Sequence, residues 1–368
     1  MTPLEGLKVV ELARILAGPW IGQALADLGA EVIKVEAPQG DDTRTWGPPF
    51  ITRDGDRSAA YFYAANRGKR SVVADFRTEA GQAKVRDLVA DADILIENFK
   101  VGGLAKYGLD YAALAAINPR LIYCSVTGFG QDGPYAHRAG YDFMIQGMSG
   151  LMSITGEPDA APQKVGVAVT DIVTGLYGTI GILAAVEQRH RTGRGQHLDM
   201  ALLDCATALL ANQAMNQLAT GTAPTRLGNA HPNIVPYQVF EAADGHMILA
   251  VGNDGQFASL CEILDLPGTA SDPRFATNAG RVENRDALTE LLSLRLRGWS
   301  VAQLLSALEA AGVPAGPINT IDQVFADPQV QARGLQVSVE GVPGVRGPWR
   351  FSDAELSLDR TAPKLPDP

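Results

Sequence analysis

Lys8-Val9-Val10-Glu11-Leu12, then Gly18 to Leu28, then Val32-Ile33-Lys34-Val35-Glu36 decide the fold class of this chain. Two short apolar runs rich in β-branched residues enclose a segment of helical length, the signature of strand, helix and parallel strand. The pattern continues outward. Ser71–Asp75, Ile94–Glu97 and Leu121–Val126 read as further strands, with Thr78–Ala90 and Leu109–Ile117 as helices between them. Strands alternating with helices predict a mostly parallel sheet with helices over both faces.

Beyond the sheet the chain turns glycine-rich from Gly128 to Gly156. Val165–Val169 reads as one more strand. The run from Asp171 to His190 is a helix apolar almost all round, stopped at Gly193 and expected to be buried centrally. A further helix is expected over Ala201–Ala219. Gly221–Pro232 reads as a linker, and Tyr237–Phe240, Asp244-Gly245 and Met247–Val251 as a hairpin. Helices follow at Gly255–Leu264, Asn284–Arg295 and Ser300–Ala311, with strand-and-turn material beyond Gln329. The expected division is a large α/β domain over residues 1–224, a smaller α+β domain over 225–320, and a segment 321–368 returning to the large domain.

The 368 residues carry 46% apolar and 20% charged side chains, and a net charge of −10. No Lys/Arg tract suggests a nucleic-acid face. The three cysteines, Cys124, Cys205 and Cys261, are widely spaced, which argues against a disulfide framework or zinc cluster and fits a reducing, cytoplasmic setting. Five isolated histidines offer no metal spacing. The N-terminus shows no signal-peptide pattern, and the apolar stretch Ile172–Val186 is too short and interrupted to span a bilayer. Strand one is followed by Ala13-Arg14-Ile15-Leu16-Ala17-Gly18-Pro19, which lacks the G-x-G-x-x-G turn of dinucleotide enzymes. P-loop, nucleophile-elbow and H-E-x-x-H motifs are missing too.

Asp171 is the leading candidate for chemistry. A carboxylate at a helix start faces free N–H groups and the positive end of the dipole, which favours the ionised, nucleophilic form. Asp is also simply a favoured helix cap, and spacing alone supports that plainer role. Gly128–Pro134, at the end of a strand, stands where open α/β sheets bind ligands, or is an ordinary turn-rich loop.

Several segments in order resemble the CaiB–BaiF family, the class III CoA-transferases: Pro3–Leu12, Ala17-Gly18-Pro19, Gly29–Glu36, Asn66–Ser71, Glu97-Asn98-Phe99, Asn118–Ile122, and Asp171–Arg189 with Gly193–Gln196. The resemblance runs from about residue 3 to 335. It implies a Rossmann-like large domain, coenzyme A as part of the substrate, no metal, nicotinamide or flavin, an interlocked homodimer, and Asp171 as nucleophile. Members usually continue into a last helix beyond the point reached by Leu365-Pro366-Asp367-Pro368. The family also holds 2-methylacyl-CoA racemases, which pair a His with an Asp. Tyr141 of Gly140-Tyr141-Asp142-Phe143 stands in place of that His, so a transferase is favoured. A non-catalytic acyl-CoA binder ranks last.

By the same resemblance, Ile15, Leu16 and Ala17 lie beside the pantetheine, and Ala74, Asp75 and Arg77 near the adenosine. Asn98, Phe99 and Lys106 sit near the nucleotide; Arg138, by its place just after the glycine-rich loop, offers a cation to a phosphate or carboxylate. Arg77 and Lys106 are the natural phosphate partners. Ala37 replaces a basic residue of formyl-CoA transferase. Gly228–Gln238, Gly252-Asn253 and Gly312–Asn319 resemble the succinyl-CoA–glutarate branch. That implies succinyl-CoA as donor and a dicarboxylic acid as acceptor, with Trp46, Tyr141, Arg226, His231, Gly252 and Asn253 as substrate residues. Arg138 or Arg226 would hold the second carboxylate.

Overall fold

The structure, a computed structural model, describes residues 1–366. It resolves into two compact units. One comprises residues 1–151, 164–211 and 328–368, the other 152–163 and 212–327. The crossings differ from those expected: the chain enters the second unit at Asn212 rather than at 225, and the loop 152–163 belongs to that unit as well.

The first unit is built on six parallel strands, in spatial order Arg70–Val73, Glu31–Glu36, Lys8–Glu11, Ile94–Glu97, Ile122–Thr127, His197–Ala201. Numbered along the chain this is 3-2-1-4-5-6, so the order reverses between the first strand and Ile94–Glu97. The crevice at the carboxyl ends of such a pair is where open α/β sheets take ligands. Alternate side chains feed two cores. Val9, Ile94, Ile96 and Ile122 pack with Ile21 and Ile182 on one face. Val10, Leu95, Leu121 and Tyr123 pack with Val85, Val89 and Leu114 on the other. Burial on both faces explains why the strands read as continuous apolar runs.

The long helix is Val169–Thr192, 24 residues. It is longer than the apolar run suggested, and by length and composition it reaches the span of a bilayer. Thr170, Thr174, Gly178, Ile182 and Ala185 nevertheless pack into the first unit's core. Gly178 leaves room for Ile21, whose Cδ1 would stand 2.5 Å from a Cβ added there. Burial on every side is not observed: Leu176, Tyr177 and Ile180 are exposed, Ile180 to 61%. No strand forms over Val165–Val169, because residues 165–168 are the irregular lead into the helix, which begins at Val169. Nor does one helix span Ala201–Ala219. Ala211 adopts φ +44° and separates Leu202–Leu209 from Ala211–Thr220.

The second unit has a three-stranded sheet in which Gly245–Ala250 pairs antiparallel with both Tyr237–Ala242 and Ala315–Pro317. Helices Asp254–Ile263, Arg285–Leu296 and Val301–Ala310 cover it around Met247, Leu249, Phe257, Leu288 and Leu304. The tail opens with a short helix, Pro328–Ala332. It then forms the hairpin Gln336–Val339 with Val342–Val345 in the first unit. The end of the expected segment, residues 367 and 368, lies outside the described residues.

Candidate functional site

A cavity of about 520 Å³ opens in the first unit at the carboxyl ends of its strands. Three chain segments supply most of its wall: the turn after the first strand (Arg14–Ala17), the loop after Ile94–Glu97 (Asn98 to Tyr107), and the loop after Ile122–Thr127 (Gly128 to Asp142). Asp171 lines it from the first turn of the long helix. Gly128 and Gly140 close the third segment. A Cβ on either would come within 2.5 Å of the other's backbone, so only glycine allows the loop to return Arg138 and Tyr141 to the cavity.

Asp171 is not the cap of its helix. The N-cap position is Ala168, whose methyl group accepts no hydrogen bond, and Asp171 is the third helical residue. The capping oxygen comes from Asp142 instead: its carboxylate accepts the Thr170 N–H at 2.8 Å and the Thr170 hydroxyl at 2.7 Å. The plainer role for Asp171 therefore falls to another residue. Among the described residues no side-chain hydrogen bond or ion pair engages the Asp171 carboxyl, which is left for whatever enters the cavity.

Nor does the helix start keep that carboxyl strongly acidic. Burial, and then the neighbouring Asp142 carboxylate, lift it from the ordinary 3.8 to about 7. Helix dipole and N–H groups favour the anion, yet desolvation and a like charge outweigh them here. Tyr61, absent from the sequence reading, belongs to the same neighbourhood. Its phenol is raised by burial and then by the charges of Asp171 and Asp142.

The cavity is rich in cations, as a polyanionic ligand requires. Arg14, Arg77, Lys100, Lys106 and Arg138 all line it. Arg77 is held by Asp75 at 2.8 Å and Arg14 by Asp42 at 2.9 Å. Arg138 lies over the rings of Phe129 and Tyr135. Ile15, Leu16, Ala17, Asn98, Phe99, Lys106 and Tyr141 take wall positions as well. Ala74 and Asp75 do not: Ala74 is buried beneath, and Asp75 serves to orient Arg77. Trp46 is also outside the cavity wall and stands edge-on to Tyr61, ring centroids 5.4 Å apart.

The remaining substrate candidates lie in the second unit. Arg226 is spent on backbone, its guanidinium donating to the carbonyls of Glu157, Pro158 and Ala160, so it is not the free cation expected. His231 packs against Tyr237 and its Nδ1 accepts the Asn233 N–H. Burial and then Arg285 lower its pKa, so it is neutral. Asn253 caps helix Asp254–Ile263 by accepting the Gln256 N–H at 2.9 Å, while Gly252 donates to the Gln256 side chain. Among the described residues no His/Cys/Asp/Glu group has a metal-binding arrangement.

The chain matches known proteins over nearly its whole length. The profile of CoA-transferase family III matches residues 4–367. A succinate–glutarate CoA-transferase from Agrobacterium fabrum is 59% identical across 99% of this chain and 93% of its own length. The human succinyl-CoA:glutarate CoA-transferase is 43% identical across 99% of this chain and 83% of its own. The crystal structure of a CaiB/BaiF family protein from Brucella suis superposes with a TM-score of 0.90 at 65% identity, covering 100% of this chain and 97% of that one. With the family matched over nearly its whole length, this chain belongs to CoA-transferase family III and is a CoA-transferase.

Proposed function

We propose that the protein moves CoA from succinyl-CoA to a dicarboxylic acid through covalent intermediates on Asp171. The observation that carries this reading is a carboxyl with no side-chain hydrogen-bond or ion-pair partner among the described residues, set into a cavity walled by five cationic side chains. The named activities of the Agrobacterium and human relatives support the substrate class.

The Asp171 carboxylate attacks the donor thioester carbonyl. The C–S bond breaks, CoA leaves as thiolate and an aspartyl–acyl anhydride forms. The thiolate then attacks the aspartyl carbonyl of the anhydride, releasing the first acid as carboxylate and leaving an aspartyl–CoA thioester. The incoming carboxylate attacks that thioester, and the thiolate returns to the new acyl carbonyl. Each step conserves an activated acyl bond, so no external energy is consumed. Because Asp171 titrates near 7, about half of the free enzyme is ionised at neutral pH. The basic wall offsets the charge of the CoA phosphates, and Arg138 is the cation left to meet a second carboxylate once Arg226 is excluded.

Assembly as an interlocked homodimer belongs to the same reading. Exposed Leu176, Tyr177 and Ile180 on the long helix, with Tyr141 and Phe143, support it. So does a cytoplasmic setting, with Cys124, Cys205 and Cys261 all free and buried. The test is to incubate succinyl-CoA with a panel of acids and read new acyl-CoA species by mass spectrometry. Exchange is expected with wild type and lost with Asp171→Ala. No exchange with any acid would refute the substrate assignment, and exchange surviving in the variant would remove Asp171 from the chemistry.

A further inference from the structure

The turn between the first strand and helix Ala17–Asp27 is held in an unusual way. Ile15 has φ +73°, a left-handed conformation that is strained for a β-branched residue. Where nucleotide-binding folds place glycine at this turn, the present chain has none between Leu12 and Ala17. The strain persists because side chains clamp four successive backbone groups. The Ala13 carbonyl accepts from the Lys34 ammonium at 2.8 Å. The Arg14 N–H donates to the Asn98 side-chain oxygen at 2.9 Å, and the Arg14 carbonyl accepts from the same amide at 2.6 Å. The Ile15 N–H faces both oxygens of Asp41, at 3.3 and 3.4 Å.

The clamp is itself anchored. Lys34 and Asp41 are both fully buried and pair at 2.9 Å, and Lys34 also meets Glu11, which is shared with Lys69. Ile15, Leu16 and Ala17, the residues the turn presents, line the same cavity as Asp171. Such a network is expensive to bury and is satisfied only by holding this one backbone shape.

We propose that Asn98, backed by the Lys34–Asp41 pair, is a positioning residue for CoA transfer: it holds the Ala13–Ile15 turn in its left-handed form against the acyl-CoA. The inference rests on the reading of this cavity as the acyl-CoA site. It gives Asn98 a different duty from the direct nucleotide contact that the resemblance implies. A nucleotide contact binds ground state and transition state alike, and its loss raises KM at constant kcat. A turn that sets the thioester against a nucleophile acts on kcat, because a displacement near 1 Å costs up to about a hundredfold.

The experiment compares wild type, Asn98→Ala, Ile15→Gly and the double variant. It uses steady-state exchange kinetics, with amide hydrogen exchange at Arg14 and Ile15 as a readout independent of turnover. Asn98→Ala is expected to lower kcat about 10- to 100-fold with KM for succinyl-CoA within about threefold. It should also speed exchange at both amides. Glycine adopts the left-handed turn without strain, so the kcat loss from Asn98→Ala should shrink in the Ile15→Gly background. A rise in KM at unchanged kcat, additive effects of the two substitutions, or unchanged amide protection would each overturn the proposal. Should Asn98→Ala melt early, Asn98→Asp carries the same comparison, since it accepts from the Arg14 N–H but cannot donate to its carbonyl. Transfer that survives in Asp171→Ala would defeat the reading of the nucleophile, while amide protection would still test the turn.

Discussion

Replacing Asp171 with Asn should make the free protein more stable while removing its activity. The carboxyl is half-buried beside Asp142 and titrates near 7 in the fold, against 3.8 as its ordinary value. An acid whose folded pKa is raised binds its proton more tightly when folded. Its effect on stability is therefore nil below about pH 4 and grows unfavourable as pH rises through 7, where it levels off. At about 1.4 kcal/mol per pKa unit, the ionised carboxylate costs up to about 4 kcal/mol at pH 8 and roughly 1.7 kcal/mol at pH 5. Asparagine keeps the shape without the charge, and no side-chain partner of Asp171 is lost. Urea unfolding of both proteins from pH 4 to 8 measures the difference. The stability gain of Asp171→Asn should increase by about 2–3 kcal/mol between pH 5 and 8. A gain that does not depend on pH, or a loss of stability at pH 8, would refute the claim that burial and Asp142 hold the carboxyl up.

Four further outcomes follow from the site. The kcat/KM for succinyl-CoA should fall with unit slope below an apparent pKa near 7, because the protonated carboxyl is no nucleophile; a pH–rate profile checks it. Asp142→Asn keeps an oxygen for the Thr170 N–H but removes the like charge, so that acid limb should move to lower pH with little change in melting temperature. Asp142→Ala should instead destabilise by about 1–2 kcal/mol through loss of the cap, read by urea unfolding. Arg138→Ala should lower kcat/KM for dicarboxylic acceptors about 10- to 100-fold, the worth of a charge-assisted hydrogen bond, and cost monocarboxylic acceptors less.

Much of the sheet was legible because strands buried on both faces read as plain apolar runs: Ile94–Glu97 has the bounds expected, and Lys8–Glu11 differs by one residue. Where local sequence carries no signal, reading failed. Nothing in Leu210-Ala211-Asn212 announces φ +44° at an alanine, and the apolar rhythm of Val165–Val169 imitates a strand. The hairpin Phe50–Arg53 with Asp56–Ala59 was missed even though Asp54-Gly55 marks its turn. At the site, Asp171 and the segments Ile15–Ala17 and Asn98-Phe99 were visible as motifs at strand ends. Their duties were not, because duty depends on long-range partners. Asp142 reaches Thr170 across 28 residues and takes the cap from Asp171, and Asn98 grips Arg14 across 84. In the sequence Arg226 reads as a free cation, and only the fold shows that charge already engaged by three carbonyls.

If Asp171 forms and breaks a covalent bond in every turnover, an oxygen label must pass through its carboxyl. In exchange between succinyl-CoA and a dicarboxylic acid labelled with ¹⁸O in its carboxylates, the acid attacks the aspartyl–CoA thioester. Its oxygen bridges the anhydride and stays on Asp171 when the thiolate departs with the acyl group. After several turnovers, peptide mass spectrometry should find the Asp171 peptide heavier by the label, and no label in the absence of succinyl-CoA. Turnover that leaves that peptide unlabelled would contradict the account, because CoA would then pass between acids without an anhydride on Asp171.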